Sequence, residues 1–363
     1  MDIDARVEAW ASLQLLPGLS ARALVALLKA FGGPAEVLAA SHASVGRFVT
    51  PAMAAALTRG PDRAELDRTL AWLREPGHAL LAWDDPAYPQ ALLTIADPPP
   101  ALFFVGRSEL LNRPAVAIVG SRNATAQGIE TAEAFAVALS AAGLTIVSGL
   151  AQGIDAAAHR GGLTHAAASV AVVGTGIDRV YPAVNRDLAH RLAAEGGVLS
   201  EFPLGTPPLP GNFPRRNRLI SGLARGVLVV EATLASGSLI TARFAAEQDR
   251  DVYAIPGSIH SPFSKGSHRL IKDGAKLVET AQDVLDEMGM AAPGDARSPR
   301  NPPAPVRGDA ARVLEALGYD PAGIDTLTER CALAADAISV ALVELELAGE
   351  VQSLPGGRYQ RLR

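Results

Sequence analysis

Cysteine is almost absent: Cys331 is the single thiol in 363 residues, which excludes an internal disulfide and any multi-cysteine metal site. Lysine is nearly as scarce, four residues beside 29 arginines. That bias is too general to point to any partner. No run approaches the roughly 18 uninterrupted apolar residues of a membrane span, and the opening MDIDARVEAW carries acids in place of a signal peptide's apolar core. The expectation is a soluble, cytoplasmic chain that does not engage a membrane. The seven histidines are scattered, His159 and His165 coming nearest to a ligand spacing, so no metal or other cofactor is expected. G-x-G-x-x-G, G-x-x-x-x-G-K-[ST], H-E-x-x-H and G-x-S-x-G are all missing. Their absence argues against an ordinary dinucleotide site, a P-loop NTPase, a zincin and a hydrolase elbow.

What is present suffices for two or three domains, since 48% of the residues are hydrophobic. The net charge of −5 argues against a generically basic nucleic-acid coat, but its distribution matters more. Residues 1–100 carry 8 basic and 11 acidic side chains, residues 101–290 carry 17 of each, and residues 308–363 carry 5 and 9. Both ends are acidic and the middle is neutral.

Residues 1–80 read as a helical domain. Within it, LLPGLSARALVALLKAFGG places Gly18 in a tight turn and Leu24, Leu27, Leu28 and Phe31 on one helical face. The turn resembles a helix-hairpin-helix, with Ser20 where a second glycine is usual. It serves either to offer backbone N–H groups to phosphates or only to pack. A softer boundary falls near DPPPALF, residues 97–103. Residues 81–290 alternate short apolar runs with amphipathic helices: AVAIVGS, LTIVSG, SVAVVGTG, GVLSEF, GVLVVEA and DVYAIPG are β-branched and nearly free of charge, as buried parallel strands are. The expected fold is α/β, a Rossmann-like, doubly wound, mostly parallel sheet. Residues 291–308, rich in Pro, Gly and charge, read as a flexible linker. Residues 309–363 read as a winged helix-turn-helix. Its recognition helix, DAISVALVELELAGE, holds Asp336, Glu344, Glu346 and Glu350 and no basic residue. A groove-reading helix needs the opposite sign, so a protein contact, or a contact with its own chain, is expected there.

In an open parallel sheet, ligands meet the loops at the carboxyl ends of the strands. Four glycine loops fall there: GSRN (Gly120, Ser121, Arg122), SGLAQGID (Ser148, Gly149, Gln152, Gly153), GTGID (Gly174, Gly176) and ASGSLITA (Ser236, Gly237, Ser238). Glycine admits close approach to an anion, serine adds donors, and Arg122 brings a planar fork suited to phosphate. The acids Asp155, Asp178, Glu201 and Glu231 have no visible nucleophile or metal partner; Asp155 suits a helix cap and Glu231 a buried arginine. FPRRNRLISG then sets Phe213, Arg215, Arg216, Asn217 and Arg218 at the start of a helix beside the rim. Two readings stand. Either the arginines extend a phosphate track with Phe213 as a stacking platform, or Arg216 and Arg218 pair with Glu201 and Glu231 and brace the sheet.

Taken in order, VGSRNAT, SGLAQGIDAAAH, VVGTGIDRVYPAVNRDL, SEFPLG, FPRRNRLISGLARGVLVVEA, SGSLITARFAAEQDRDVYAIPG and HRLIKDGAKLV resemble the DNA-processing protein A family, DprA or Smf. The resemblance covers residues 110–285. It implies a non-enzymatic protein that binds single-stranded DNA, protects incoming strands in natural transformation or recombination and helps load the RecA recombinase. It also implies a homodimer through the Rossmann-like domain. On this resemblance Arg122 is a principal DNA contact, with Phe213, Arg216, Asn217 and Arg218 bordering the same pocket and Arg215 at a variable position. Gly149, Gly153, Gly174, Gly176 and Ser236 to Ser238 shape the rim. His268 departs from the asparagine of many relatives. The competing reading is a nucleotide hydrolase on the same rim, weakened because SGSLITA brings no acid before Glu247.

Overall fold

The computed structural model describes residues 4–290 and 308–362. The expected linker, apart from Gly308, lies outside the described residues.

Six helices open the chain: α1 (Ala5–Gln14), α2 (Ala21–Phe31), α3 (Pro34–Ala39), α4 (His42–Val45), α5 (Pro51–Arg59) and α6 (Arg63–Leu73). Side chains of Asp4, Ser20, Thr50 and Asp62 accept from N–H groups of the first turns of α1, α2, α5 and α6, which satisfies donors the helices cannot pair themselves. Gly18 turns the α1–α2 hairpin at φ +82°, a conformation that favours glycine. Leu24 and Leu27 are buried while Leu28 and Phe31 pack at the edge of the same core.

That core does not close on itself. β1 (His78–Ala82) and β2 (Ala101–Gly106) contribute Leu80, Ala82, Ala101 and Phe103 to the cluster formed by Trp10, Leu13, Leu57 and Leu70. The helices are therefore welded onto one end of the sheet.

The remaining strands are β3 (Ala115–Val119), β4 (Thr145–Ser148), β5 (Ser169–Val172), β6 (Gly197–Ser200), β7 (Gly226–Val229), β8 (Asp251–Ala254) and β9 (Lys276–Leu277). Between them run α7 (Ala126–Ala141), α8 (Ile154–Gly162), α9 (Arg186–Glu195), α10 (Asn212–Leu223), α11 (Ser238–Glu247) and α12 (Lys265–Lys272); α13 (Ala281–Glu287) follows. The nine strands lie in the order β1-β2-β6-β5-β4-β3-β7-β8-β9. β3 to β9 pair in parallel, whereas β1 with β2 and β2 with β6 are antiparallel. Both faces of the parallel part are covered, one by the cluster around Leu219, Ile220 and Leu223, the other by Phe135, Leu139 and Ile154. The chain winds outward from β3 to β6, then returns to β7 on the other side of β3. The switch point between β3 and β7 opens the crevice in which such sheets bind ligands.

The winged helix comprises α14 (Asp309–Leu317), β10 (Ala322–Gly323), α15 (Ile324–Cys331), α16 (Ala335–Leu347), β11 (Val351–Leu354) and β12 (Arg358–Arg361). Val313, Leu317, Leu327, Ile338 and Leu342 form its own core. Among the described residues no helix is long and apolar enough to cross a membrane.

Phe103 is fully buried at the weld and meets Trp72 edge-on, 6.0 Å between ring centres. Phe103→Ala is expected to cost about 3–5 kcal/mol. A urea titration that finds less than about 1 kcal/mol, a small part of the cost of emptying a buried aromatic site, would mean the helical layer is not held through this seam.

Candidate nucleic-acid interface

At the switch point, Gly120, Ser121, Arg122 and Asn123 follow β3, Thr233 and Ala235 to Ser238 follow β7, and α10 presents Phe213 and Asn217 between them. They line a cleft of about 380 Å3. Arg122 is exposed. Its guanidinium stands 5.9 Å from the centre of the Phe213 ring, and no carboxylate engages it among the described residues. Tyr181, 48% exposed, meets the Phe213 ring at a tilt of 40° with centroids 5.6 Å apart. A cationic fork above one ring, with a second, exposed ring beside it, can hold a phosphate and stack a base at once.

Each element of this rim is fixed from below. Ser121 Oγ accepts from Asn123 N (3.2 Å) and Ser121 O from Ile154 N (3.2 Å), which sets the GSRN turn against α8. Thr125 caps α7, and Glu231 accepts from both Thr125 Oγ1 (2.6 Å) and Thr125 N (3.0 Å). Burial pushes the Glu231 carboxyl up, against the pull of these two bonds. Glu231 thus serves the turn after β3 and not a buried arginine. The hydroxyls of Ser236 and Ser238 bond each other at 2.6 Å, and Asn217 Nδ2 reaches Gly237 O at 3.4 Å.

SGLAQGID was expected to offer N–H groups to an anion; it is instead a brace. Gly149 N and Ala151 N donate to Asp155 Oδ2 (3.1 and 3.3 Å), and Leu150 N donates to His159 Nε2 (3.2 Å). The carbonyls of Leu150 and Ala151 accept from Asn185 Nδ2 (2.9 and 3.1 Å). Gly149 O accepts from Arg216 Nη1 (2.6 Å), and the same nitrogen donates to Val172 O. These backbone groups are spent inward, as buried backbone requires. Ser148, fully buried, donates to Ile118 O (2.7 Å) within the sheet. Gly153 adopts φ +73°, and a side chain there would strike the carbonyls of Ser121 and Arg122. Gln152 is exposed beside the cleft and does not line it. A side chain on Gly174 would run into the Phe213 ring, and one on Gly176 would meet Pro203 O and Asp178; the first glycine seats the aromatic and the second shapes a turn.

The arginine cluster divides. Arg216 is 4% exposed and stays charged, its pKa lowered to about 10 by burial, with Asp155 opposing the shift. Burial pushes Asp155 up, and Arg216 with the two N–H groups holds it down. Arg218 Nη2 donates to Glu201 Oε2 (2.7 Å) and Arg215 Nη2 to the same oxygen (3.0 Å). Both were expected at the phosphate rim. The helical period turns them to the opposite face of α10, into a different cavity. The bracing reading therefore holds for Arg218 with Glu201; Arg216 is satisfied by carbonyls and not by Glu231. His268 Nε2 bonds Gly257 O (3.0 Å) in the loop after β8. Tyr181, Thr233 and Phe263 escaped the sequence reading; for Tyr181 the only signal was an aromatic in the loop after β5.

The profile of the family described as DNA recombination-mediator protein A matches residues 79–289, and that of the DprA winged helix domain matches residues 297–357. Protein Smf of Escherichia coli is 43% identical over 307 residues, covering 83% of this chain and 82% of that protein. DNA processing protein DprA of Streptococcus pneumoniae is 49% identical over 203 residues, 56% of this chain and 72% of that one. The X-ray structure of the pneumococcal protein superposes with a TM-score of 0.69 at 38% identity, covering 79% of this chain and 99% of that chain. A structure of DNA processing protein A from Helicobacter pylori, described for its single-stranded DNA binding mode, gives a TM-score of 0.53 at 30% identity over 58% and 95% of the two chains.

His159 supplies a pH test of the brace. It is fully buried, accepts from Leu150 N and bonds Ser169 Oγ (2.7 Å), and burial lowers its pKa to about 3 with Arg216 adding to the shift. The unfolded chain takes up this proton near pH 6.5, the folded chain only near 3. Stability is therefore lost as pH falls between those values, by about 1.4 kcal/mol per unit from this group. His159→Gln keeps an acceptor for Leu150 and removes this titration, so the wild-type-minus-variant difference in urea stability is expected to fall by about 1.4 kcal/mol per pH unit as pH drops across that window. A difference that stays constant with pH would place the histidine outside the brace.

Proposed function

The chain belongs to the DNA recombination-mediator protein A family, and from that premise we propose that it binds single-stranded DNA along the rim formed by Arg122, Phe213, Tyr181 and the Thr233–Ser238 loop. The observation that carries this is the unpaired, exposed Arg122 guanidinium above a Phe213 ring that Tyr181 flanks. Phosphates meet the cation and bases meet the rings, without contacts that distinguish one base from another. The Helicobacter relative described for single-stranded DNA binding supports the same ligand.

In the cell, the protein protects incoming strands and helps load RecA in natural transformation or recombination, as a cytoplasmic homodimer. We also propose that the protein is not an enzyme. Asp155 and Glu231 are each held by backbone N–H groups or Thr125, which leaves them as structural acceptors and disfavours a nucleotide hydrolase.

Fluorescence anisotropy with a labelled single-stranded oligonucleotide tests this. Affinity is expected to fall with salt, and Arg122→Ala to reduce the log–log salt slope by about 0.7, one single-strand phosphate contact. Phe213→Ala and Tyr181→Ala are each expected to cost about 1–3 kcal/mol with the slope unchanged. Efficient competition by duplex DNA or free nucleotides would contradict the reading.

A further inference from the structure

Helix α16 occupies the recognition position of the winged helix, and both of its faces are apolar. Ile338, Ala341, Leu342 and Leu345 pack into the core of the domain. On the opposite face Val340, Val343 and Leu347 are 62%, 55% and 84% exposed. A single exposed apolar residue is ordinary, whereas three along one stripe of one helix mark a contact surface. Their spacing, i, i+3, i+7, is the a–d–a seam of a heptad, the pattern by which one helix packs along another.

Charge decides what covers this seam. In the same heptad Glu344 stands at e and Glu346 at g, with Asp336 at the preceding d position, and α16 has no basic residue. Asp336 and Glu344 meet no cation among the described residues. Glu346 accepts from Ser353 N and Oγ (3.3 and 2.8 Å), neutral donors that leave its charge in place. Arg312 and Arg330, on the helices packed against α16, are spent on Asp309, Cys331 O and Ala316 O. A second copy of α16 is a poor occupant, because like charges at e and g repel. Nucleic acid and anionic lipid are repelled for the same reason.

We propose that the outer face of α16 docks a basic amphipathic helix of a protein partner, with apolar residues at its own a and d positions and arginine or lysine at e and g. From Asp336 to Leu347 the stripe runs about 16 Å, so the partner contributes about three turns. So short a seam holds weakly through its apolar contacts alone. Complementary charge selects the partner and makes the affinity fall with salt. The surface is separate from the rim, and the proposal does not depend on where a strand binds.

The test uses the full chain and a labelled synthetic helix with leucine at a and d and arginine at e and g, read by fluorescence anisotropy at two salt concentrations. One-to-one binding that weakens with salt is expected. A scrambled peptide of the same composition, and a peptide with glutamate at e and g, are each expected to bind about tenfold more weakly or worse, at least 1.4 kcal/mol. Val343→Ser with Leu347→Ser is expected to cost the same factor. Glu344→Arg is expected to move the preference toward the acidic peptide, which loss of folding cannot do. Thermal melting and oligonucleotide affinity, both expected to match wild type, show that each variant folds. Equal binding of the scrambled peptide, wild-type binding in the serine variant, or an unmoved preference in Glu344→Arg would overturn the proposal. So would self-association of the wild type that Leu347→Ser abolishes, since a second copy would then cover the face.

Discussion

Arg216 carries a full positive charge into the interior, and the rim depends on how that charge is satisfied. A buried guanidinium must find acceptors or the fold loses several kcal/mol. Here Gly149 O and Val172 O accept from it, with Asp155 supplying the nearest opposing charge. The acceptors come from the ends of two strands and the donor from a helix that follows a third. Satisfying one side chain therefore fixes the loop after β4, the end of β5 and the start of α10 relative to each other.

From that lock the exposed chemistry follows. With Arg216 pinned inward, the α10 period places Phe213 and Asn217 at the mouth of the switch point. Gly174 leaves room for the Phe213 ring, and Gly153 lets the next loop close against Ser121 and Arg122. The arginine free to meet a ligand is the one after β3. Order in the buried layer thus produces a surface in which a flexible cation stands over a fixed aromatic, a division that suits strands of any sequence.

Much of this was legible. Six strands of the sheet, its parallel winding and the winged helix follow from apolar runs, glycine turns and the Gly-Gly hairpin, and Arg122 was recognisable because its loop follows a buried strand. The division of FPRRNR was also present in the spacing, since 213, 216, 217 and 220 share one helical face and 215 and 218 the other. Reading the cluster as a linear stretch concealed it. The brace was not legible: Asp155, His159, Asn185 and Arg216 meet around one loop through long-range contacts that no local period records. Ser148 ends a strand whose both faces are buried, so alternation gave no sign of where its hydroxyl points. β1 and β2 were missed as sheet members because their apolar faces serve the helical layer as much as the sheet.

Mapping a bound strand onto the surface would decide where the function resides. A single-stranded oligonucleotide carrying 4-thiothymidine, photocrosslinked to the wild-type protein and digested for mass spectrometry, is expected to label peptides containing Arg122, Tyr181, Phe213 and the Thr233–Ser238 loop. Adducts confined to the winged helix, with its acidic α16, would contradict the assignment of binding to the switch-point rim.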